Sequence, residues 1–157
     1  LNESVAIIKL GAVSESEFHE KRLRAEDAIH ATISARKEGV VAGGGQTLAL
    51  IHRELKNKLK SSDIDVQRGI DIVLDSLLEP LSQIAEKAGY DGRMIVEKQL
   101  TQKSSIGFDA REGKWVDMYR RGIVDPAKVI RVALSSAVSI SSLFLTSEAA
   151  VVVKDTL

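Results

Sequence analysis

The chain has 157 residues, of which 44% are hydrophobic and 28% are charged, and its 22 basic side chains balance 22 acidic ones. This composition predicts a globular domain with a real core, and it gives no net field that would attract nucleic acid or an anionic membrane. Because there is no cysteine, disulfides and thiolate metal sites are excluded, and none of the three scattered histidines is paired at metal-ligand spacing.

The N-terminal part predicts a strand followed by a long helix. Residues 5–10 are a β-branched run that ends at a glycine, as in a short strand. Ser14 and Glu17 have the spacing of a capping box, and apolar residues recur at helical spacing from there to Gly39. We therefore expect one helix of about six turns, ended by that glycine.

The middle of the chain predicts three more helices from its apolar periodicity: residues 46–60, 64–88 and 93–100. Residues 61–63 are expected to form a turn and a cap. Pro80 falls inside the second helical pattern, where it removes a backbone donor, so we expect a kink or a boundary there. Residues 103–113 are expected to form a loop or a hairpin.

Toward the C-terminus, residues 115–121 predict a short turn of helix. Asp125 and Pro126 have the pattern of a helix cap followed by proline at the first helical position. A helix with a face of small residues is expected over residues 126–145, and a strand over residues 149–153. The fold class predicted is mainly α (α+β), multihelical, with short strands at the termini. No apolar run approaches the length of a membrane span, and no signal peptide is visible.

Local sequence leaves the chemistry of three features open. Gly43, Gly44 and Gly45 permit either a tight turn between helices or a close approach of the backbone to a ligand, although no Walker lysine follows them. Asp27, inside the long helix, can pair with Lys21 or Arg24, or it can serve as a carboxylate for a metal ion or a water. Asp125 can be a helix cap or a hydrogen-bond acceptor for sugar hydroxyls. Arginines are expected to be solvated or ion-paired at three positions: 120, 121 and 131.

Four segments in this order resemble group I chaperonins, the GroEL or 60 kDa chaperonin family. They are residues 9–12 (KLGA), 24–32 (RAEDAIHAT), 38–45 (EGVVAGGG) and 122–129 (GIVDPAKV). The resemblance covers essentially the whole chain, and these motifs are highly specific. It implies that residues 1–5 end the apical domain, residues 6–37 are the returning half of the intermediate domain, and residues 38–157 are the second half of the helical equatorial ATP-binding domain.

The resemblance also implies roles for individual residues. Asp27 matches the aspartate that closes over the nucleotide and helps to activate the hydrolytic water. Gly43 and Gly44 match glycines that contact the nucleotide near its ribose. Asp125 matches the aspartate that holds the ribose hydroxyls, and Ile123 matches a residue that lines the adenine slot.

Asp109 and Ala110 fall where the family usually has Asn-Ala against the adenine edge. An ionised aspartate only accepts hydrogen bonds, whereas asparagine also donates, so this is a departure from the family pattern. The cofactors implied are ATP with Mg²⁺ and K⁺, and the metal ligands are expected mostly outside this segment.

The family further implies a homo-oligomeric ring, a heptameric double ring, with unfolded client proteins and a co-chaperonin bound through an apical domain. The expected location is cytoplasmic: bacterial cytosol, or organelle matrix or stroma. The chain begins at Leu1 without methionine, which is typical of a segment of a longer protein. Alone, such a segment is expected to be inactive as an ATPase and to self-associate. The alternatives are a stand-alone helical scaffold module and a chaperonin paralogue without folding activity.

Overall fold

The computed structural model describes residues 6–149 and residue 151 of the chain. Within that part, seven helices and four short strands are present, which confirms the mainly helical fold class. The chain divides into two compact units, which are described separately. The first unit combines Leu1–Gly39 with Pro126–Leu157, and the second is Val40–Asp125.

The first unit contains helix α1, Glu15–Glu38, which confirms the predicted long helix and both of its ends. The hydroxyl of Ser14 accepts a hydrogen bond from the amide of Glu17 at 3.3 Å, as a capping box requires. The Glu17 carboxylate in turn accepts from the amide of Val13 at 2.9 Å, one residue before the cap. These bonds satisfy amides that have no partner inside the helix.

Helix α7, Ala127–Thr146, packs against α1 in the same unit. Arg131 donates two hydrogen bonds to the Glu38 carboxylate, at 2.6 and 3.0 Å, in the two-pronged geometry that guanidinium groups favour. The amide of Ala127 donates to the carbonyl of Gly39 at 3.1 Å. The end of α1 is therefore tied to the beginning of α7.

Much of α7 is apolar and exposed, and in the described part of the chain it is the helix whose length and composition would suit a membrane crossing. Serines and two cations, Lys128 and Arg131, interrupt the apolar run, so its pattern did not predict a span. One such helix is by itself weak evidence for a membrane span. Its apolar side chains are most exposed in the last turns, at Leu143, Phe144 and Leu145.

The predicted N-terminal strand was wrong within the described residues. Residues 6–10 form no strand, and four of these five are exposed. β-Branched residues favour extended backbone, but a strand also needs a hydrogen-bonded neighbour, and these residues have none among those described. The strand predicted at residues 149–153 lies mostly outside the described residues.

The second unit contains the remaining elements, in chain order: β1 (Val40–Ala42), α2 (Gln46–Leu55), α3 (Ile64–Ser76), α4 (Glu79–Lys87), α5 (Gly92–Thr101), β2 (Ile106–Asp109), β3 (Lys114–Asp117), α6 (Met118–Arg121) and β4 (Val124–Pro126). Strands β1 and β4 form one two-stranded sheet. Strands β2 and β3 form an antiparallel hairpin in which Phe108 lies opposite Trp115. The hairpin prediction is confirmed, although β3 takes the first half of the short helix expected at residues 115–121.

The predicted boundary near Pro80 is confirmed, because helices α3 and α4 are separate there. Pro80 lies in the first turn of α4, where its missing N–H leaves no hydrogen bond unmade. The cap at Asp63 is also present, since its side chain accepts from the amides of Asp65 and Val66. Local sequence signals therefore set these helix ends.

The core of the second unit is formed by α2, α4, α5 and the hairpin. Its buried residues are Ala49, Leu81, Ala85, Val96 and Phe108. Aromatic rings pack together at one side of this core. The centre of the Phe108 ring lies 5.1 Å from that of Tyr90 and 5.5 Å from that of Trp115. This packing holds the hairpin against the helices and so fixes the turn that follows β2.

Replacement of Gly45 by alanine is expected to destabilise the protein. Gly45 has a φ of 79°, and an added Cβ would lie 2.7 Å from the backbone nitrogen of Leu81, which cannot rotate away. We expect a loss of about 2 kcal/mol or more in the free energy of unfolding, measured by urea denaturation.

Gly69→Ala is the matched control, since Gly69 lies inside exposed α3 and an added Cβ would meet nothing within 4 Å. Helix propensity predicts a gain of about 0.5–1 kcal/mol there. Equal effects of the two substitutions would contradict the role assigned to the contact between Gly45 and α4.

Candidate functional site

The three glycines form a turn that joins β1 to α2 and lies against β4. The amide of Gly43 donates to the carbonyl of Ile123 at 3.0 Å. A Cβ on Gly43 would come within 3.2 Å of the Val124 backbone and 3.3 Å of the Asp125 carboxyl carbon. Gly44 has a φ of 64°, in the left-handed region that favours glycine. The turn is therefore a close approach of two backbones, which side chains would prevent.

Asp125 faces this turn and does not cap α7. Helix α7 starts at Ala127 after Pro126, and no side-chain hydrogen bond caps it, so the capping prediction was wrong. Asp125 lies instead in β4, with its carboxyl beside the glycine turn: its carboxyl carbon would lie 3.3 Å from a Cβ on Gly43. Burial raises the pKa of this carboxyl, and the Gly44 amide offsets only part of that effect.

Asp109 closes the turn between β2 and β3. Its Oδ1 accepts hydrogen bonds from the amides of Arg111 and Glu112, at 3.1 and 3.2 Å. Its Oδ2 accepts from Nε of Arg121 at 3.3 Å, although the Asp109 side chain is only 6% exposed. Burial by itself would raise the pKa of Asp109, but the hydrogen bonds from Glu112, Arg121 and Arg111 outweigh it and the pKa is lowered. The turn amides and the guanidinium therefore favour the ionised form of Asp109.

A cleft of about 440 Å³ lies between the glycine turn, α4, the hairpin and α6. Four residues singled out from the sequence line it together: Gly44, Asp109, Ala110 and Ile123. Asp125 is not in the lining, but its carboxyl lies beside Gly43, the neighbour of Gly44 in the glycine turn.

Four further residues line the cleft that the sequence analysis did not assign to a site: Ile84, Phe108, Arg111 and Arg121. Arg121 was expected to be solvated or ion-paired. The ion pair is present, and the partner, Asp109, is what brings the guanidinium to the cleft. No local signal could have shown this, because the two residues are twelve positions apart and meet through the hairpin.

The cleft therefore combines apolar walls with charged groups at one side. Ile84, Phe108 and Ile123 supply the apolar surface, and Asp109 and Arg121 supply an acceptor and a donor. Such a combination suits a flat, partly apolar ligand with a polar edge. A larger depression of about 560 Å³ runs along the first turns of α1, but it is lined by that helix alone.

Asp27 lies on α1 in the first unit and is exposed. Its expected salt bridge is not formed, since Lys21 pairs with Glu17 at 2.7 Å and Arg24 lies 3.6 Å from Glu20. The carboxylate thus has no ion pair among the described residues. Its catalytic role stays a prediction.

The fold and the site define a class: a mainly helical protein with a cleft beside a glycine turn. Comparison with known families identifies the class further, because the model of the TCP-1/cpn60 chaperonin family matches residues 1–155. The chain belongs to this family, as the resemblance predicted.

Individual relatives agree with the family assignment. The chain is 58% identical over 152 residues to a chaperonin GroEL of Acholeplasma laidlawii (strain PG-8A), covering 96% of this chain and 28% of the relative. It is 50% identical over 152 residues to a chaperonin GroEL of Aster yellows witches'-broom phytoplasma (strain AYWB), covering 97% of this chain and 28% of the relative. The crystal structure of a group III chaperonin in the open state matches with a TM-score of 0.76 at 27% identity, over 90% of this chain and 30% of that one. The chain thus spans less than a third of the length of these proteins.

The opposite pKa shifts of Asp125 and Asp109 predict opposite effects of pH on the free energy of unfolding. The folded-state pKa of Asp125 is raised, so its stabilising contribution is present at low pH and is lost as pH rises through that pKa. Asp125→Asn is therefore expected to increase the free energy of unfolding at pH 7, with the difference fading below the ordinary aspartate pKa. Urea denaturation between pH 3 and pH 7 measures this.

Asp109→Asn is expected to change the free energy of unfolding in the opposite direction. Because the folded-state pKa of Asp109 is lowered, its contribution is present above the ordinary pKa and is lost as pH falls through the folded value. This variant is expected to be less stable than the original at pH 7 and to approach it in acid. The same pH trend for both variants would contradict the assigned environments.

Proposed function

We propose that this chain supplies the base and ribose side of an ATP site in a ring-shaped chaperonin that assists protein folding. The observation that carries the proposal is the cleft itself. One hairpin, one glycine turn and α6 bring together Gly44, Asp109, Ala110 and Ile123, which were singled out on other grounds. The family membership supports the same reading.

The residues fit the parts of a nucleoside. Apolar side chains of Ile84, Phe108 and Ile123 suit the faces of a base. An added Cβ on Gly44 would lie 3.2 Å from the Met118 methyl and near the cleft, so glycine keeps that approach open. The half-buried Asp125 carboxylate has lost part of its hydration, and ribose hydroxyls would replace the missing hydrogen bonds.

In this proposal, the ligands of Mg²⁺ and K⁺ lie mostly outside this chain. Within residues 6–149 and 151, no three histidine, aspartate or glutamate side chains are grouped as metal ligands. We therefore assign no ligand of Mg²⁺ or K⁺ to the described residues. ATP, when bound, would supply the phosphoryl group whose hydrolysis releases free energy for domain movement.

Asp27 is the catalytic residue in this proposal. A carboxylate can accept a proton from an attacking water as a general base. Its exposed position on α1, free of an ion pair among the described residues, leaves it available for this task. The 24-residue helix is stiff enough to move as one body, and the two hydrogen bonds from Arg131 to Glu38 tie down its end. Movement of α1 would then bring the carboxylate into place and exclude water.

The wider setting follows from the family. We infer a homo-oligomeric ring, heptameric and double, in a bacterial cytoplasm, with unfolded proteins as clients and a co-chaperonin as partner. The relatives of which this chain spans 28% are bacterial proteins named as chaperonin GroEL. Binding of clients and of the co-chaperonin is assigned to an apical domain outside the described residues.

Asp27→Ala is expected to lower ATP hydrolysis by about 10²-fold or more while nucleotide binding is retained, because general base catalysis contributes about that much. The assay uses a complete subunit in which this chain replaces the 152 matching residues of the Acholeplasma laidlawii GroEL, with phosphate release and ADP affinity measured together. Glu20→Ala is the control on α1, since Glu20 is also an exposed helix carboxylate. Unchanged hydrolysis in the Asp27 variant would disprove the catalytic assignment.

A further inference from the structure

Two glutamine side chains lie fully buried beside the start of the hairpin, Gln46 on α2 and Gln99 on α5. The Nε2 of Gln46 donates to the carbonyl of Ser104 at 2.9 Å and to that of Ile106 at 2.8 Å. The Nε2 of Gln99 donates to the same Ile106 carbonyl at 2.9 Å. Ile106 is the first residue of β2, so two helices hold the beginning of this strand at one oxygen atom, whose two lone pairs accept both bonds.

The side-chain oxygens of the two glutamines have a free-energy cost. Because backbone carbonyls only accept hydrogen bonds, the NH₂ groups must face the Ile106 carbonyl, and each Oε1 lies on the other side of its amide. Both Oε1 atoms are buried, and neither has a hydrogen-bond partner among the described residues. A buried acceptor without a partner destabilises the folded state, whereas apolar side chains at these positions would avoid that cost. The benefit of the glutamines must therefore lie in what their donors hold.

Their donors hold a segment without regular structure. Residues 102–105 connect α5 to β2 and belong to neither element. Backbone carbonyls in such a segment need partners from side chains or from water. The glutamines supply these partners at Ser104 and Ile106, which fixes where the hairpin begins.

Gln46 also connects the hairpin to the glycine turn. It is the first residue of α2, directly after Gly45, and its backbone amide donates to the carbonyl of Gly43 at 3.2 Å. Its Oε1 lies so close to Gly107 that a Cβ there would come within 2.7 Å. The next residue, Phe108, lines the cleft. Gln46, which does not line the cleft itself, thus joins two of its walls.

We propose that Gln46 and Gln99 are positioning residues for the cleft: through the shared Ile106 carbonyl they set the hairpin wall relative to the glycine turn. The inference rests on the proposed function, because the ligand on whose binding they act is the nucleotide assigned to this cleft. Neither side chain touches that ligand, since neither lines the cleft. Loss of their donors lets the hairpin shift, and a ligand that contacts both walls then binds more weakly.

Methionine is the diagnostic substitution, because it has nearly the length of glutamine and no amide donor. Gln99→Met is expected to weaken ADP binding about threefold, since the Ile106 carbonyl keeps one donor, and Gln46→Met about tenfold, since Ser104 loses its donor as well. The double variant is expected to lose more than the product of these factors, because it removes the last donor. ADP affinity is measured in a complete subunit in which this chain replaces the 152 matching residues of the Acholeplasma laidlawii GroEL.

Trp115 reports the position of the hairpin without any nucleotide. It is the only tryptophan in the chain, it lies half-buried in β3, and the centre of its ring is 5.5 Å from that of Phe108. In the 157-residue chain, the tryptophan emission of the double variant is expected to shift to longer wavelength as water reaches the ring. Circular dichroism verifies that the helices are retained. If the double variant does not fold, the effects of the two single variants on emission and affinity decide.

Gln67→Met is the matched control. The Gln67 side chain also makes two hydrogen bonds, accepting from the amide of Ser61 and donating to Asp71, both at 2.8 Å. It lies on α3 and outside the cleft lining. This variant is expected to lower the free energy of unfolding while tryptophan emission and ADP affinity stay unchanged. A merely structural role of Gln46 and Gln99 would give the same result as this control.

The outcomes separate the two proposals. A complete subunit that binds no ADP before any substitution would overturn the proposed function, and the inference would fall with it. ADP binding that the glutamine variants weaken no more than Gln67→Met does would overturn the inference alone. So would a tryptophan emission that these variants leave unchanged. A shifted emission together with a selective loss of ADP affinity supports it.

Discussion

The close packing of the glycine turn against its neighbours is the constraint on which the cleft depends. Gly43 lies against the backbone of β4, and Gly45 lies against the backbone of α4 near Leu81. Between them, the amide of Gly44 lies near the Asp125 carboxyl. A side chain at either outer position would separate strand from helix, because the atoms in contact are main-chain atoms that cannot rotate away. The same three residues thus position the apolar wall at Ile84 and the polar groups of β4.

Asp109, which is buried, and Asp125, which is half-buried, show how local hydrogen bonding gives two aspartates opposite pKa shifts. Asp109 receives two amides and a guanidinium, so burial does not prevent its ionisation. For Asp125 burial dominates, and the nearby Gly44 amide offsets only part of it, so its pKa is raised. Asp109 closes the hairpin turn and faces the cleft, whereas Asp125 lies beside the glycine turn.

The sequence predicted the features whose causes are local. The start of α1 at Ser14, the cap at Asp63 and the break near Pro80 each depend on residues within one helical turn, and all three are present. Features that depend on distant partners were missed or wrong: residues 6–10 have the composition of a strand without a neighbour, and Asp125 has the pattern of a cap but turns toward Gly44. The family resemblance implies a ribose-binding role for Asp125, which stays a prediction, whereas the cap that local sequence favoured is not formed.

Neither the local sequence pattern nor the family motif predicted that Arg121 lines the cleft. Its place in the cleft depends on Asp109, and Asp109 is held by the turn that its own Oδ1 closes. The Asp109 carboxylate therefore both stabilises the hairpin turn and holds Arg121 at the cleft. A substitution of Asp109 alters both at once. A substitution at Arg121 acts on the cleft while the turn keeps its amide bonds. For this reason the cleft can vary at the arginine with less effect on the fold than at the aspartate.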